Sequence, residues 1–461
     1  MSGLLDAPGW EISRAVRCRQ ASATEVAQEA LERLAADAWG AVWVITEERA
    51  LREAAAIDAA LAAGEALDER VLLGVPVGWK DLIDTAGVRT TYGSALFRDH
   101  VPDRDAEVVE RLAGAGGITV AKLATHELAW GTTTQNPHFG SCRNPHDTGR
   151  VPGGSSGGSG VALATAMVAA APGTDTGGSI RCPASCCGIV GLKPTYGRVS
   201  LAGIRPLCTT LDHCGPMARS VRDCALQLEA LAGGPSRDPR VPGVPVERWS
   251  ANLSADLRGI RVGVAERYFF EHTAADIVAR VRRAVDALAD AGAEIVELDL
   301  EWPTPMGEGD PFIPEGAATL QEFWPARRDE IGPDVARDLA LSDGMAAVPF
   351  AAVNQYRIEY GGRMLEKARA AGVDVIATPA QAQTPPPVEA LTIPYAGHPD
   401  VDVTYAMCGL TLVFNMLGWP AVSVPCGRDD AGLPAGIQLA ALPWREDHCL
   451  AAAAVVEAAA L

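Results

Sequence analysis

From Gly153 to Arg181 the chain reads Gly-Gly-Ser-Ser-Gly-Gly-Ser-Gly, an apolar run, then Gly-Thr-Asp-Thr-Gly-Gly-Ser-Ile-Arg. Ser155 and Ser179 thus sit in two glycine-rich turns 24 residues apart, joined by a connector of small apolar residues. Glycine admits backbone conformations closed to other residues and lets a substrate approach closely. Consecutive N–H groups in such turns form concavities that hold an anion. Two such turns on one short connector are expected to meet at a single site, which demands a layered structure large enough to bury them.

The surrounding sequence supplies that structure. Of 461 residues, 48% are hydrophobic and 21% charged, the composition of an ordinary globular chain. Residues 11–65 have helical spacing: one helix is expected over Ser22–Asp37, with Ser22 as N-cap and Glu25 completing a capping box, and another over Glu47–Ala63. Strands are expected at Leu73–Trp79, Gly117–Leu123, Met167–Pro172 and Gly188–Lys193, with helices over Asp105–Ala115 and Gly157–Ala166. A βαβ pattern follows in Gly259–Ala265, Ala274–Ala291 and Ala293–Leu300. The C-terminal part reads as strand Asp374–Thr378, helix Tyr405–Leu417, strands Ala421–Pro425 and Ala435–Ala441, and a helix from Glu446. Gly233–Ser250 and Trp302–Gly316 each carry four prolines and read as surface excursions rather than linkers. The expected architecture is one α/β domain over residues 1–461, a large twisted mixed β-sheet covered on both faces by helices. Residues 1–65 form a helical segment packed on it, and residues 300–370 a variable region near the substrate.

A net charge of −19 argues against a broad basic footprint for nucleic acid or anionic membrane. No charged leader precedes an apolar stretch at the start, and Val161–Pro172 falls short of the roughly 20 residues that span a bilayer. The eleven cysteines form no zinc-like pairs; Cys182, Cys186 and Cys187 crowd one spot with no histidine in that segment. The chain is expected to be cytoplasmic, with buried reduced thiols, no metal and no cofactor.

A serine hydroxyl needs a group to take its proton. No histidine lies within thirty residues of Ser179, the nearest being His146 and His213. Lys80 is a candidate base, because it ends an apolar strand where desolvation would favour the neutral amine. Ser155 could then relay the proton, and the amides of Thr176, Gly177, Gly178 and Ser179 could hold an oxyanion.

These residues resemble the amidase signature family. The resemblance rests on Pro152–Ser159, Gly173–Ala184 and Gly191–Arg198, on Gly74–Asp84 upstream, and on Phe414–Pro425 and Leu433–Leu439 downstream. It implies a Ser-cisSer-Lys triad: Ser179 as nucleophile, Ser155 as the bridging serine at a cis peptide, and Lys80 as base. It further implies that Asp175 and Arg181 brace the loop and that Thr174 supports the bridging serine. Trp79 and Leu82, beside the lysine, depart from the family's usual smaller aliphatic residue and asparagine, which bears on local packing.

The implied reaction is hydrolysis of a C–N bond through an acyl-enzyme on Ser179. Glu127, Trp130, Phe139 and Phe323 are pocket candidates, and Trp302, Pro303, Met306, Phe312, Ile313 and Trp324 add an apolar stretch. Aromatic content there favours aryl or hydrophobic amides such as anilides, or carbamates, as small-molecule substrates of a monomer or homodimer. The alternative is the amidase subunit of a glutamine-dependent tRNA amidotransferase, disfavoured by the modest length and by the segment Ser200–Pro206. A glycine-loop nucleotide-binding protein is a further alternative, although Gly153–Gly160 lacks the lysine ending of a P-loop.

Overall fold

A computed structural model describes residues 3–299 and 311–460. Its centre is a seven-stranded mixed sheet. The strand order is Met217–Ala218, Val190–Lys193, Ala421–Arg428, Pro434–Ala441, Val375–Pro379, Arg261–Val264 and Glu294–Glu297. The last three strands run parallel, as the βαβ pattern requires, and antiparallel pairs occupy the middle. Every residue of Pro434–Ala441 is buried, so both faces of this central strand are covered. Helices Ala275–Asp290 and Glu446–Ala458 pack on it and on Ala421–Arg428, as does the short helix Arg181–Cys187. The expected α/β architecture is what the chain adopts.

A second sheet of three strands, Val42–Ile45, Ile118–Leu123 and Pro76–Lys80 in that order, carries Lys80 at its edge. Ala170 forms a parallel bridge to Val77, and its carbonyl accepts from Gly78 N at 3.0 Å. This contact brings the end of the lysine strand beside the short strand Gly173–Asp175. It also corrects the expected strand Met167–Pro172. That apolar segment runs beside the edge of the second sheet with one bridge, and extended pairing starts only at Gly173, against His213–Gly215.

Two further expectations change. Tyr405–Leu417 is two short helices, Val403–Cys408 and Leu412–Met416, broken where Thr411 turns back towards the glycine loop. Residues 1–65 hold the strand Val42–Ile45 besides the helices Gly9–Arg17, Ala23–Ala35 and Glu47–Ala62. A 24-residue helix, Ala347–Ala370, has no counterpart among the expected elements. Trp302, Pro303, Met306 and Leu300 lie outside the described residues. No described helix is long and apolar enough to cross a membrane.

The capping box at Ser22 is formed: Glu25 N donates to Ser22 Oγ at 3.0 Å, and Ser22 N donates to Glu25 Oε2 at 2.8 Å. Ser22→Ala is expected to lower stability by about 1 kcal/mol, read as a lower urea midpoint at unchanged slope.

Candidate active site

Three segments converge: the end of the lysine strand, the turn before the helix Gly157–Ala164, and the turn between Gly173–Asp175 and Arg181–Cys187. The Gly154–Ser155 peptide bond is cis. Lys80 Nζ donates to Ser155 Oγ at 2.6 Å and to Thr174 Oγ1 at 2.7 Å. The two turns are laced together by backbone and hydroxyl. Ser156 N donates to the Ser179 carbonyl at 3.3 Å, and Ser156 Oγ donates to the Thr174 carbonyl at 3.2 Å.

Lys80 is fully buried, and that burial pushes its pKa down from 10.5 to about 7 against the pull of Asp175, Cys214 and Asp212. A large share of the side chain is therefore neutral near pH 7, so it can accept a proton.

The Gly177–Ser179 turn is held open rather than filled. The N–H groups of Gly177, Gly178 and Ser179 donate to no protein acceptor among the described residues. Gly178 has φ +138°, and a Cβ there would lie 2.0 Å from Thr411 Oγ1, so only glycine fits. Thr411 Oγ1 in turn donates to the Gly177 carbonyl at 2.6 Å. Thr176 Oγ1 donates to Asp212 Oδ1 at 2.6 Å; burial raises the Asp212 carboxyl to about 6.

Beneath the turn lies a buried ion pair. Arg181 reaches both carboxylate oxygens of Asp175, with Nη2 to Oδ1 at 2.9 Å and Nε to Oδ2 at 3.1 Å. Burial alone would raise the Asp175 pKa, but the charge and hydrogen bonds of Arg181 hold it below the usual carboxylate range. The remaining donors of Arg181 go to the Thr411 carbonyl, Gln438 Oε1 and Asn415 Oδ1 at 2.6–2.7 Å. Asn415 Nδ2 closes the ring on Asp175 Oδ1 at 2.8 Å. His213 lies alongside: Lys193 Nζ is 3.3 Å from its Nε2, and its Nδ1 is 2.6 Å from the Leu211 carbonyl. Burial and the neighbouring Lys193 keep the ring well below its ordinary pKa, hence neutral.

The structure thus brings Lys80, Ser155, Thr174, Asp175, Thr176, Gly177, Gly178, Ser179 and Arg181 together. The pocket candidates scatter. Ser179 faces a narrow cavity of about 30 Å3, whose walls include Phe312, Asp338, Tyr405, Cys408 and Leu412. Trp130 stands behind it, edge-on to Phe312 at 5.2 Å, with Nε1 donating to Asp338 Oδ2 at 3.2 Å. Trp130 itself lines a wider adjoining cavity of about 340 Å3. Glu127 is fully buried and accepts from Gly332 N at 2.7 Å, so it anchors the segment that carries Asp338 rather than facing the cavity. Phe139 and Phe323 are displaced from the expected pocket. Phe139 packs on Trp43 and under Arg98, and Phe323 packs edge-on against Phe97. Asp212, Thr411 and Asp338 carry no local motif that could mark them.

This fold and site define a class of C–N hydrolase. The chain belongs to the Amidase family, whose profile matches residues 23–450. It is 40% identical over 433 residues to a glutamyl-tRNA(Gln) amidotransferase subunit of Roseiflexus sp. (strain RS-1), covering 88% of this chain and 86% of that one. Among solved structures it is similar to a vestigial protein complex that reveals the evolutionary origins of an s-triazine catabolic enzyme. That match has 33% identity, coverage of 99% of both chains and a TM-score of 0.91. A bacterial aryl acylamidase of the amidase signature enzymes shares the fold, with a TM-score of 0.88 at 24% identity over 98% of this chain and 96% of that one.

Two outcomes follow from the geometry. With the lysine pKa near 7, kcat/KM is expected to rise about tenfold per pH unit below 7 and to level off above it; a pH–rate profile on any turned-over amide checks this. Arg181→Met leaves Asp175 buried without its countercharge and is expected to cost about 3–5 kcal/mol, measured by denaturant unfolding.

Proposed function

We propose that the chain cleaves an amide C–N bond through an acyl-enzyme on Ser179, with Ser155 and Lys80 moving the proton. The observation that carries this reading is the 2.6 Å hydrogen bond from a fully buried, near-neutral Lys80 to Ser155, beside the open amides of the Ser179 turn. Lys80 Nζ takes the Ser155 proton as Ser155 Oγ takes that of Ser179, and Ser179 Oγ bonds to the carbonyl carbon. The oxyanion is held by the amides of the 176–179 turn, with Ser179 the fourth residue. The proton returns to the leaving nitrogen as the C–N bond breaks. Water then enters by the same relay and releases the acid. Thr174 fixes the lysine amine, and Asp175 and Arg181 hold the turn in shape from below.

For the substrate, we infer that the chain acts as the amidase component of a tRNA amidotransferase, releasing ammonia from a primary amide donor. What supports this is the level of similarity: curated relatives at 36–40% identity spanning nearly the whole chain are glutamyl-tRNA(Gln) amidotransferase subunits. This reverses the order of preference drawn from the sequence, where length and the Ser200–Pro206 segment favour a free-standing hydrolase. The free-standing reading retains one supporting observation, the apolar wall of Phe312 and Leu412 at the cavity, which suits hydrophobic amides or carbamates.

A single assay separates the readings, with Ser179→Ala as blank. Ammonia release from glutamine, stimulated when the other components of a bacterial amidotransferase are added, is the expected outcome. Hydrolysis of anilides by the chain alone, with no glutamine turnover under either condition, would instead support the free-standing enzyme.

A further inference from the structure

Among the described residues the cavity at Ser179 has one formally charged residue on its wall, and it is acidic. Asp338 shares the wall with Phe312, Tyr405, Cys408 and Leu412, yet only 6% of its surface is exposed. The cavity is narrow, about 30 Å3. An acyl group bonded to Ser179 in this cavity therefore shares its wall with this carboxylate.

The partners of Asp338 leave it able to accept more. Oδ1 takes the Arg337 Nε and Nη2 donors at 2.9 and 2.8 Å, whereas among the described residues Oδ2 takes only the Trp130 indole N–H at 3.2 Å. An ionised carboxylate offers about four acceptor positions over its two oxygens, so capacity remains on Oδ2. Arg337 is shared: its Nη2 also lies 2.9 Å from Asp402 Oδ2, and its side chain is 53% exposed. One solvent-facing guanidinium thus serves two carboxylates, and the local balance is negative. The wider cavity that meets the narrow one at Asp338 and Thr404 continues the same sign, with Asp334, Glu389 and Asp402 on its wall against Arg337.

We propose that Asp338 is the specificity-determining residue of this site, selecting acyl groups that carry an ammonium or another N–H donor and disfavouring those that carry a carboxylate without one. The proposal rests on the acyl-Ser179 reading and gives it a substrate class: amides of amino-bearing acyl groups, α-amino acid amides among them. In a narrow, largely buried cavity a like-charge pair is disfavoured more strongly than at a surface. Apolar walls around the carboxylate strengthen the same attraction.

The test uses the full-length chain and three alkanesulfonyl fluorides of equal length, ending in an ammonium, a methyl or a carboxylate group. Each forms a Ser179 Oγ–S bond with loss of fluoride, followed by intact mass and divided by its hydrolysis rate in buffer. The ammonium reagent is expected to react at least about tenfold faster than the methyl one, and the carboxylate reagent at least about tenfold slower. Asp338→Asn keeps the shape and an acceptor for Trp130, and is expected to compress the three rates to within about threefold. Arg337→Gln, at an exposed position, removes the countercharge and is expected to widen the spread. Equal rates in the unsubstituted chain, or fastest reaction of the carboxylate reagent, overturn the role of Asp338 while leaving Ser179 as nucleophile. No modification of Ser179 by any of the three overturns the acyl-Ser179 reading and this proposal with it.

Discussion

The buried pair of Asp175 and Arg181 is the interaction on which the site depends. A guanidinium placed in the core needs its charge and its donors met, and no surface is near enough for water to help. Here one arginine is satisfied by the carboxylate at the end of a short strand, by the Thr411 carbonyl and Asn415 near two short helices, and by Gln438 from the middle of the main sheet. Gln438 faces Ser423 and Thr378 on the neighbouring strands, so its position is fixed by register. The arginine therefore transmits the rigidity of the sheet to a turn that has little structure of its own. That turn keeps its shape with its amides unpaired because its carbonyl and side chains are held elsewhere.

Lys80 poses the opposite problem. Its burial disfavours the ammonium, and the nearest counterions, Asp175 and Asp212, are engaged by Arg181 and Thr176. The carboxylates needed to shape the serine turn are thus prevented from neutralising the effect of burial on the lysine. Two demands that conflict in isolation, a stable polar core and an uncharged amine, are met by giving each carboxylate a nearer partner. The lysine also comes from a different sheet than Gln438, so the geometry of the site depends on the segment between them, where Ala170 bridges Val77 and Ala171 N donates to the Met217 carbonyl of the main sheet.

What is legible in the sequence is what is local. Ser22 and Glu25 cap a helix over one turn, and the glycine-serine segments announce unusual backbone by composition alone. Met167–Pro172 reads as a strand and is not one, because an apolar run shows that a segment is buried but not whether it pairs. The helix Ala347–Ala370 escapes a reading by periodicity because its buried residues, Tyr360, Met364 and Ala368, lie only towards its C-terminal end, leaving no sustained stripe. Phe139 and Phe323 are attractive pocket candidates only for being aromatic, although aromatic rings pack under arginines at a surface as readily as in a pocket. Asp212 and Asp338 have no motif because the partners that tie them to the site, Thr176 and Trp130, are 36 and 208 residues away.

The placement of Asp338 also explains why the chemistry is legible and the substrate is not. The segment Phe312–Leu339 packs through its own cluster, in which Ile313, Leu320, Val335 and Leu339 meet Leu82, Tyr92, Leu128 and Trp130. That cluster is separate from the main core around the sheet. A change of residue in this roof alters the cavity wall without removing a partner of the Asp175–Arg181 pair. The reacting groups are constrained by a core that tolerates little variation. The cavity wall is constrained only by a satellite cluster that can repack. A charge at position 338 is therefore read from the three-dimensional structure rather than from any run of sequence.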